Sequence, residues 1–205
     1  MGLYDKFILP KVIDWTCKQS RNMDQRKKVI PLACGNVLEI GIGSGLNLPF
    51  YDKENVKHLT GIDPSKEIWN KNIVDTRSLP FEFEFIKALA ENIPTKSNSF
   101  DTIVMTYTLC SIPDPYKALA EIRRVLKTNG KLLFCEHGKA PDKAILSWQN
   151  IINPLSKHFG GGCNINRDIP FIIEANGFKM RKMESMYIPG WKPISYNYWG
   201  TAGIK

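Results

Sequence analysis

Residues 37–45 decide the fold, and their sequence is Val37-Leu38-Glu39-Ile40-Gly41-Ile42-Gly43-Ser44-Gly45. The apolar run at residues 37–40 is too short for a helix and is followed by glycine, so it predicts a buried strand. Glycine tolerates positive φ and lets a ligand approach the backbone, because it carries no Cβ. The stretch therefore predicts a strand, a tight turn and a helix that begins around Ser44. A nucleotide-type ligand would lie over the turn, near the free N–H groups of that helix.

A second short strand is predicted at residues 58–63, and it also ends in an acid. Asp63 follows Gly45 by 18 residues, and in dinucleotide-binding units an acid about 20 residues further on binds the ribose hydroxyls. Asp63 is therefore a predicted ribose ligand. The alternative is that it caps a helix opened by Pro64, and the two roles are compatible. Glu39, two residues before the first glycine, is expected to face the same crevice.

Downstream, segments typical of strands and helices alternate. The strict alternation Phe81-Glu82-Phe83-Glu84-Phe85 predicts a strand with one buried face. Pro113-Asp114-Pro115 predicts a helix start and Asn129-Gly130 its end. Further strands are predicted at residues 100–107 and 131–135, an antiparallel pair at 178–188 and 194–204, and helices at 64–78, 142–158 and 168–175. This alternation implies a doubly wound, mostly parallel α/β sheet.

The first 35 residues lack this alternation. Apolar residues recur there at helical spacing, and Pro10 should end or kink the helix. A second, basic helix is predicted at residues 21–33. We expect this helical segment to dock on the core; a lid over the substrate site and a helix on a membrane surface are the alternatives. The chain is thus predicted to be a single domain, with a helical cap at 1–35 and a sheet core at 36–205. The helically spaced residues are Tyr4, Phe7, Ile8, Val12 and Trp15.

Composition limits the class of protein. A chain of 205 residues with 43% hydrophobic and 23% charged residues is typical of one globular domain. The five cysteines are odd in number and form no C-x-x-C pair, which favours a reducing compartment. We find no signal peptide and no apolar run near 18 residues, so a cytoplasmic protein without a transmembrane segment is expected. The net charge of +8 is spread along the chain, and we interpret it, with the cluster Arg26-Lys27-Lys28, as a solvated basic surface.

Three motifs, in this order, resemble the class I S-adenosylmethionine-dependent methyltransferases. They are VLEIGIGSG at 37–45, GIDPS at 61–65, and Ala90-Glu91-Asn92-Ile93-Pro94 ahead of Ser99-Phe100-Asp101. Dehydrogenases prefer G-x-G-x-x-G, which differs from the G-x-G-x-G of this chain. The resemblance implies a Rossmann-like sheet of seven strands with a C-terminal antiparallel hairpin. It also implies S-adenosyl-L-methionine as the cofactor.

The resemblance further implies a cofactor site at the ends of the first four strands. The three glycines would hold the amino-acid end of the cofactor, Asp63 the ribose, Ala90 the adenine and Thr106 the methionine arm. The family commonly has an acid before this alanine; Leu89 stands there in this chain and is interpreted as an apolar wall. The complete predicted cofactor set is Glu39, Gly41, Ile42, Gly43, Gly45, Asp63, Pro64, Ser65, Leu89, Ala90, Thr106 and Thr108.

Motifs nearer the C-terminus resemble the small methyltransferases related to the mammalian alkyl-thiol methyltransferases and to those of ubiquinone/menaquinone biosynthesis. They are Thr108-Leu109-Cys110-Ser111, Phe134-Cys135-Glu136-His137, Trp148-Gln149, Asn153-Pro154, Gly162-Cys163-Asn164 and Asn166-Arg167. This resemblance implies a small acceptor: a thiol, a quinol or a lipid head group. It would bring Trp148, Gly162, Cys163, Asn164 and Arg167 near the cofactor or the acceptor. The alternatives are that Arg167 pairs with a sheet-edge carboxylate and that Cys163 is merely buried. The mammalian members carry a hydrophobic N-terminal anchor, which we do not find here, so at most peripheral membrane contact is expected.

Asp63 and His137 are the residues predicted to take part in the reaction. His137 ends the fifth strand and is the candidate general base, because an unperturbed histidine titrates near pH 6.5; a structural histidine is the alternative. Cys110 is interpreted as a small buried hydrophobe rather than a nucleophile, since methyl transfer from a sulfonium needs no covalent enzyme intermediate. No metal is predicted, because Cys110, His137 and Cys163 lack paired short spacings.

Three other functions compete with methylation of a small molecule. A nucleic-acid methyltransferase would suit the net charge, but Ser111-Ile112-Pro113-Asp114 stands where an N/D-P-P-Y/F motif would be needed, so no nucleic-acid partner is expected. A non-catalytic module would bind the cofactor without turnover. A nicotinamide-dependent oxidoreductase is disfavoured by the glycine spacing. We therefore predict a methyltransferase that acts on a small-molecule acceptor.

Overall fold

The computed structural model describes residues 9–205. The first described helices are α1 (Leu9–Cys17) and α2 (Ser20–Arg26). The part of the first predicted helix that contains Tyr4, Phe7 and Ile8 lies outside the described residues. Pro10 lies within α1, whose described part continues to Cys17.

Seven strands form one sheet within residues 9–205. They are β1 (Gly35–Ile40), β2 (Val56–Asp63), β3 (Glu82–Lys87), β4 (Phe100–Thr106), β5 (Leu126–His137), β6 (Phe178–Tyr187) and β7 (Tyr196–Ile204). Their order is β3-β2-β1-β4-β5-β7-β6. The first five strands pair in parallel, and β7 lies antiparallel between β5 and β6. The predicted fold class, a doubly wound and mostly parallel Rossmann-like sheet with a C-terminal antiparallel hairpin, is confirmed.

Helices cover both faces of the sheet. The remaining helices are α3 (Lys66–Trp69), α4 (Pro115–Val125), α5 (Lys143–Phe159) and α6 (Ile169–Ala175). Successive strand residues point to opposite faces, so Leu38 joins an apolar cluster with α4 and α6, whereas Val37 joins a second cluster with the segment after α2. Both faces of the central strands are therefore buried, as a doubly wound sheet requires. No helix within residues 9–205 combines the length and the apolar character needed to cross a bilayer.

The prediction of a helix that begins around Ser44 is wrong. Residues 41–47 form turns, and a single 3₁₀ turn follows at Leu48–Phe50. Gly45 has φ +75°, a left-handed conformation that a right-handed helix excludes. Pro49 has no N–H to donate and would clash with the carbonyl group of Gly45 in a continuous helix.

The prediction of a helix over residues 64–78 holds only for one turn. The helix found there, α3, ends at Trp69. The Asn72 side chain bonds both the N–H and the carbonyl group of Val74, and these local bonds compete with a helix. The N-cap of α3 is Ser65, whose Oγ accepts from the Ile68 N–H at 3.2 Å, so the alternative role of Asp63 as the cap of this helix is wrong.

Two helix ends lie earlier than predicted. The basic helix ends at Arg26 instead of residue 33, because Pro31 cannot continue it and instead lies in a 3₁₀ turn at Ile30–Leu32. Helix α4 ends at Val125 rather than at Asn129-Gly130, which lie in β5. The N–H groups of residues 98 and 99 donate to the last carbonyl groups of α4, so no glycine cap is needed.

Candidate functional site

Two adjoining cavities open at the carboxyl ends of the parallel strands. The first, called the crevice here, is lined by the turns after β1, β2 and β4 and is covered by Ile13, Asp14 and Cys17 of α1. The second, called the inner cavity, is lined by α1, the end of β5, the end of α5 and the segments that flank the 3₁₀ turn Lys192–Ile194. Each has a volume of about 250 Å³. They share the lining residues Ile13, Cys17, Tyr107 and Ser111.

The glycine turn forms the floor of the crevice. Gly41 has φ +68°, and a Cβ at this position would lie 2.5 Å from the Thr108 side chain. Gly43 also lines the crevice and has φ +56°. The crevice lining does not include Gly45, because Asn72 and Leu48 occupy the space where its Cβ would be. The predicted close approach of a ligand is therefore compatible with Gly41 and Gly43 but not with Gly45.

Three backbone N–H groups of the turn are already used by the protein. The N–H groups of Gly41 and Ile42 donate to the Ile62 carbonyl oxygen at 2.8 and 3.1 Å. The N–H of Gly43 donates to Asp63 Oδ2 at 3.0 Å. Ile42 lines the crevice, but its side chain points against Gly61 of β2. The expected helix is absent here, and the amides of Gly41, Ile42 and Gly43 are occupied; the approach of a ligand to the N–H groups that begin at Ser44, which also lines the crevice, stays a prediction.

Asp63 is held between two turns at the edge of the crevice. Its Oδ2 accepts from Gly43, and its Oδ1 accepts from the Ser65 N–H at 2.8 Å. Burial raises the pKa of this carboxyl above its usual range, although the hydrogen bonds from Ser65 and Gly43 oppose the shift. Each oxygen keeps acceptor capacity for another donor. Asp63 therefore has the position and the chemistry expected of a ribose ligand, and that role stays a prediction.

The opposite wall of the crevice is mostly apolar. Pro64, Ser65, Leu89 and Ala90 all line it. Leu89 is 52% exposed, whereas Ala90 is buried. All four belong to the predicted cofactor set and lie along one crevice; their contact with a cofactor, and that of Ala90 with the adenine, stays a prediction.

Glu39 does not line the crevice. Its Oε1 accepts from Asn47 Nδ2 at 2.8 Å, and its Oε2 accepts from the Tyr51 hydroxyl at 2.7 Å. The carboxylate is fully buried beneath the crevice floor, so the expectation that it faces the crevice is wrong. Strand alternation alone could not reveal this, because the polar partners come from the loop after β1.

Arg26 is a charged crevice residue that the sequence analysis did not place in the site. It is 5% exposed and lines the crevice. Its Nη1 donates to Asn47 Oδ1 at 2.9 Å and to Thr106 Oγ1 at 2.6 Å, and the guanidinium lies 5.1 Å from the Tyr107 ring centroid. Its Nε is buried without a hydrogen-bond partner in the part of the chain that the structure describes.

The interpretation of the cluster Arg26-Lys27-Lys28 as part of a solvated basic surface is therefore wrong for Arg26. Lys28 also lies with its Nζ 3.7 Å from the Trp199 ring centroid, while Lys27 pairs with Asp24. A usable signal was present in the sequence of α2, SRNMDQR, which has one strongly apolar residue. A helix that packs on a core without an apolar stripe must bury polar side chains, here Asn22, Gln25 and Arg26.

Two threonines complete the crevice. Thr106 Oγ1 accepts from both Arg26 and Asn47, the latter at 3.0 Å, so this hydroxyl holds the guanidinium in place. The Thr108 hydroxyl donates to the carbonyl groups of Thr106 and Ile40, and its side chain covers Gly41. Both residues line the crevice as predicted, and their contact with a cofactor stays a prediction.

Replacing Glu39 by glutamine should flatten the dependence of stability on pH. Burial raises the pKa of Glu39 to about 7, against the effects of the Tyr51 hydrogen bond, the Arg26 charge and the Asn47 hydrogen bond. An unfolded glutamate loses its proton near pH ~4.3. Between these values the folded state binds more protons than the unfolded state, so the free energy of unfolding falls as pH rises from about 4.3 to 7 and is level above.

Thermal unfolding at pH 5 and pH 8 checks this prediction. The glutamine variant should lose less stability than the wild type between the two values. Glu84→Gln, which changes an exposed glutamate of β3, is the control and should follow the wild type. The prediction fails if Glu39→Gln shows the wild-type difference.

The inner cavity contains a cluster of two thiols and an imidazole. His137 Nε2 lies 3.2 Å from Cys163 Sγ, and Cys110 completes the group, with all ligand atoms within 4.8 Å of one another. A hydrogen bond from Cys110 lowers the pKa of Cys163, and the same bond together with burial raises the pKa of Cys110. The rings of His137 and Tyr107 lie nearly parallel, with their centroids 6.4 Å apart. The Nδ1 of His137 is buried without a hydrogen-bond partner within residues 9–205. The role of His137 as a general base stays a prediction.

Asn164 and Arg167 hold the loops of this cluster together. The backbone N–H and the Nδ2 of Asn164 donate to the Cys110 carbonyl oxygen at 2.8 and 3.1 Å. Arg167 donates to the carbonyl groups of Leu109 and Ile112, so the alternative of pairing with a sheet-edge carboxylate is wrong. Gly162 packs 3.1 Å from the Ser111 carbonyl oxygen, measured from its ideal Cβ position.

Trp148 lies elsewhere. It is 55% exposed on the outer face of α5, and neither cavity includes it in its lining. The expectation that it lies near a cofactor or an acceptor is wrong. It shares this exposed stripe with Ile151, Leu155 and Phe159, at the spacing of one helix face.

The amino-acid sequence is similar to those of known methyltransferases. A family model described as a methyltransferase domain matches residues 38–134. The thiol S-methyltransferase TMT1B of Rattus norvegicus is 35% identical over 172 residues, covering 81% of this chain and 69% of the relative. The Homo sapiens protein of the same name is 33% identical, covering 91% of this chain and 82% of the relative. The ubiquinone/menaquinone biosynthesis C-methyltransferase UbiE of Campylobacter jejuni is 35% identical, but over only 55% of this chain and 45% of the relative.

Solved structures share the fold. The N-methyltransferase NodS of Bradyrhizobium japonicum, solved with S-adenosyl-L-homocysteine, has a TM-score of 0.70 at 14% identity, covering 94% of this chain and 92% of that one. A methyltransferase of Thermotoga maritima, described as S-adenosylmethionine-dependent, has a TM-score of 0.67 at 19% identity, with 98% of both chains covered. At these identities the likeness concerns the fold alone.

Proposed function

The chain belongs to the S-adenosylmethionine-dependent methyltransferases, in the family of the mammalian thiol S-methyltransferases, and on this premise we propose that it methylates a small apolar thiol. Methyl transfer from S-adenosylmethionine to a small-molecule acceptor follows from the family. The thiol is the step that we add. It is supported by the names of the relatives that match most of this chain and by the chemistry of the inner cavity.

The crevice fits the cofactor. We assign the ribose hydroxyls to Asp63 and the adenine to the wall formed by Leu89 and Ala90. We assign the carboxylate of the cofactor to Arg26, because its buried Nε lacks a partner among the described residues and a guanidinium pairs well with a carboxylate. The cofactor supplies a methyl group on a positively charged sulfur, which is already activated for transfer. The task of the chain is to align the acceptor with that carbon and to exclude water.

The observation that carries the proposal is the wall shared by the two cavities. Tyr107 and Ser111 line both, so an acceptor in the inner cavity would lie next to a cofactor in the crevice. The inner cavity is also lined by isoleucines at 165, 188 and 194. An alkyl group buried there would gain about 0.8 kcal/mol per CH₂. A free thiol has a pKa of about 8.5 and is partly ionised near neutrality. We include His137 in the acceptor site, beside the sulfur.

A small molecule is favoured over nucleic acid by the same structure. A nucleic-acid enzyme needs a contiguous basic surface. The one tight basic cluster of the sequence does not supply it, since Arg26 is buried and Lys28 lies on Trp199.

We propose a reducing, cytoplasmic compartment, because all five cysteines are free thiols and two of them lie close together. The exposed apolar stripe of α5 supports peripheral contact with a membrane surface.

An acceptor panel tests the thiol proposal. With S-adenosylmethionine, alkanethiols of increasing length should yield methyl thioethers, and kcat/KM should rise about fourfold per CH₂ until the cavity is filled. The matched alcohols should be inactive. Ile194→Ser, at the inner cavity, should reduce this length dependence, whereas Ile73→Ser at an 88% exposed position should not. Methylation of a quinol or a phospholipid head group in place of every thiol would overturn the proposal.

A further inference from the structure

We propose that Cys110, His137 and Cys163 bind a Zn²⁺ ion whose fourth coordination position takes the acceptor thiol. The inference rests on the thiol acceptor proposed above. The three residues come from the loop after β4, the end of β5 and the loop after α5. Sequence spacing gave no reason to expect a metal, because the residues stand 27 and 26 positions apart. The fold nevertheless brings their ligand atoms within 4.8 Å of one another.

The distances suit a tetrahedral ion. Zinc binds sulfur at about 2.3 Å and nitrogen at about 2.0–2.1 Å, which sets ligand atoms roughly 3.5–3.8 Å apart. His137 Nε2 and Cys163 Sγ are 3.2 Å apart, slightly closer than this. The whole cluster lies within 4.8 Å, so shifts of about an ångström in the side chains would complete the geometry.

The donor set and its charge also favour zinc. Two cysteines and one histidine form a set known for catalytic zinc, with the fourth position left to water or substrate. Two thiolates balance the charge of the ion, which matters because Cys110 is buried and an unbalanced charge would be costly there. Cys110, His137 and Cys163 all line the inner cavity, so an acceptor in that cavity can reach the open position.

Without an ion, the cluster is poorly satisfied. The hydrogen-bond partner described for His137 Nε2 is the Cys163 thiol, a weak hydrogen-bonding group. Buried polar atoms without good partners carry a cost. The loops are nevertheless held in place by other contacts: Asn164 binds the Cys110 carbonyl group, and Glu136 Oε1 accepts from the N–H groups of Thr108 and Leu109 at 2.8 and 2.9 Å. The ligands are thus positioned by the fold before any ion arrives.

A metal at this site would make the acceptor thiol reactive at neutral pH. A thiol that coordinates zinc is deprotonated, and its proton passes to solvent. The sulfur of the acceptor then forms a bond to the methyl carbon as the bond from that carbon to the sulfonium sulfur breaks. The products are a methyl thioether and S-adenosylhomocysteine, and the uncharged thioether is a weak ligand that can leave. His137 would act as a ligand, and no separate base would be required.

Cobalt titration of the purified, metal-free full chain tests the inference. Under a phosphine reductant, one Co²⁺ per chain should bind and produce the thiolate charge-transfer and tetrahedral ligand-field absorption bands. Cys110→Ser and Cys163→Ser should each weaken binding by more than about tenfold, since even the loss of an outer-shell partner costs about 10–100-fold. Cys34→Ser is the matched control: this free thiol lies outside both cavity linings and outside the cluster, so its variant should bind as the wild type does.

Unchanged affinity for S-adenosylhomocysteine, which binds in the crevice, verifies that each variant is folded. Absence of a stoichiometric tetrahedral Co²⁺ complex in the wild type would overturn the inference. So would full binding by Cys110→Ser and Cys163→Ser. If metal-free protein methylates thiols at the rate of zinc-loaded protein, the metal inference fails and the thiol proposal stands. If the loaded protein binds the ion but methylates no thiol, the function proposal fails instead.

Discussion

Replacing Asp63 by alanine should weaken binding of S-adenosylhomocysteine by about 100-fold or more. The substitution removes the acceptor assigned to the ribose, and hydrogen bonds to a charged group contribute about 1.5–3 kcal/mol each. It also frees the N–H groups of Gly43 and Ser65, which Asp63 now holds at 3.0 and 2.8 Å. Loss of the hydrogen bonds from both ribose hydroxyls corresponds to a change of about two orders of magnitude or more in the dissociation constant.

Calorimetric titration checks this result, with NAD as a control ligand that should not bind. Asp75→Ala is the matched control, because Asp75 also accepts from a backbone N–H but stands outside the crevice lining. A 2′-deoxy analogue of the ligand separates the ribose contact from disorder of the turns. The wild type should bind S-adenosylhomocysteine more tightly than its 2′-deoxy analogue, whereas Asp63→Ala should bind the two with equal affinity. An unchanged affinity in Asp63→Ala would remove Asp63 from the cofactor site.

Replacing Arg26 by glutamine should weaken S-adenosylhomocysteine binding by about 10- to 100-fold, the range that a charged hydrogen bond of 1.5–3 kcal/mol allows. The expected loss concerns only the amino-acid end of the ligand. Arg26 is assigned to the carboxylate, and glutamine keeps an amide donor toward Asn47 and Thr106 but loses the charge and the Nε donor. Methylthioadenosine, which lacks the amino-acid end, should therefore bind the variant and the wild type about equally.

The two variants serve as controls for each other. Asp63→Ala should weaken both ligands, because both carry the ribose, whereas Arg26→Gln should weaken only the ligand with the carboxylate. Arg21→Gln changes a partly exposed arginine of the same helix, which stands outside the crevice lining and whose Nη1 donates to the Pro189 carbonyl group, and it should leave both affinities unchanged. If Arg26→Gln weakens both ligands equally, Arg26 acts only through the structure of the crevice floor.

Much of the fold was predictable because its signals are local. The short apolar strand before the glycines, the alternation at residues 81–85 and the proline-opened α4 each depend on neighbours along the chain. The same holds for the turn at Gly41 and Gly43, whose positive φ only glycine adopts without strain. The position of Asp63 at the end of β2 follows from the strand and the turn, so its place in the crevice was predictable as well.

Helix lengths were less predictable, because contacts distant in sequence determine where a helix ends. Residues 98 and 99 donate to the last carbonyl groups of α4 and thereby replace the expected glycine cap. The turns after Gly45 and Trp69 depend on positive φ and on Asn72, whose side chain competes with helical hydrogen bonds. Periodicity does not report on such competition.

The sequence by itself determined the order of the strands along the chain, the glycine turn and the acid at its edge, since each follows from residues close together in the chain. Only the tertiary structure decided which polar groups share a site. Arg26 meets Thr106 across 80 positions, and Cys110, His137 and Cys163 meet through three separate loops. Their proximity depends on how the loops at the ends of the strands converge, and that convergence is a property of the packed sheet.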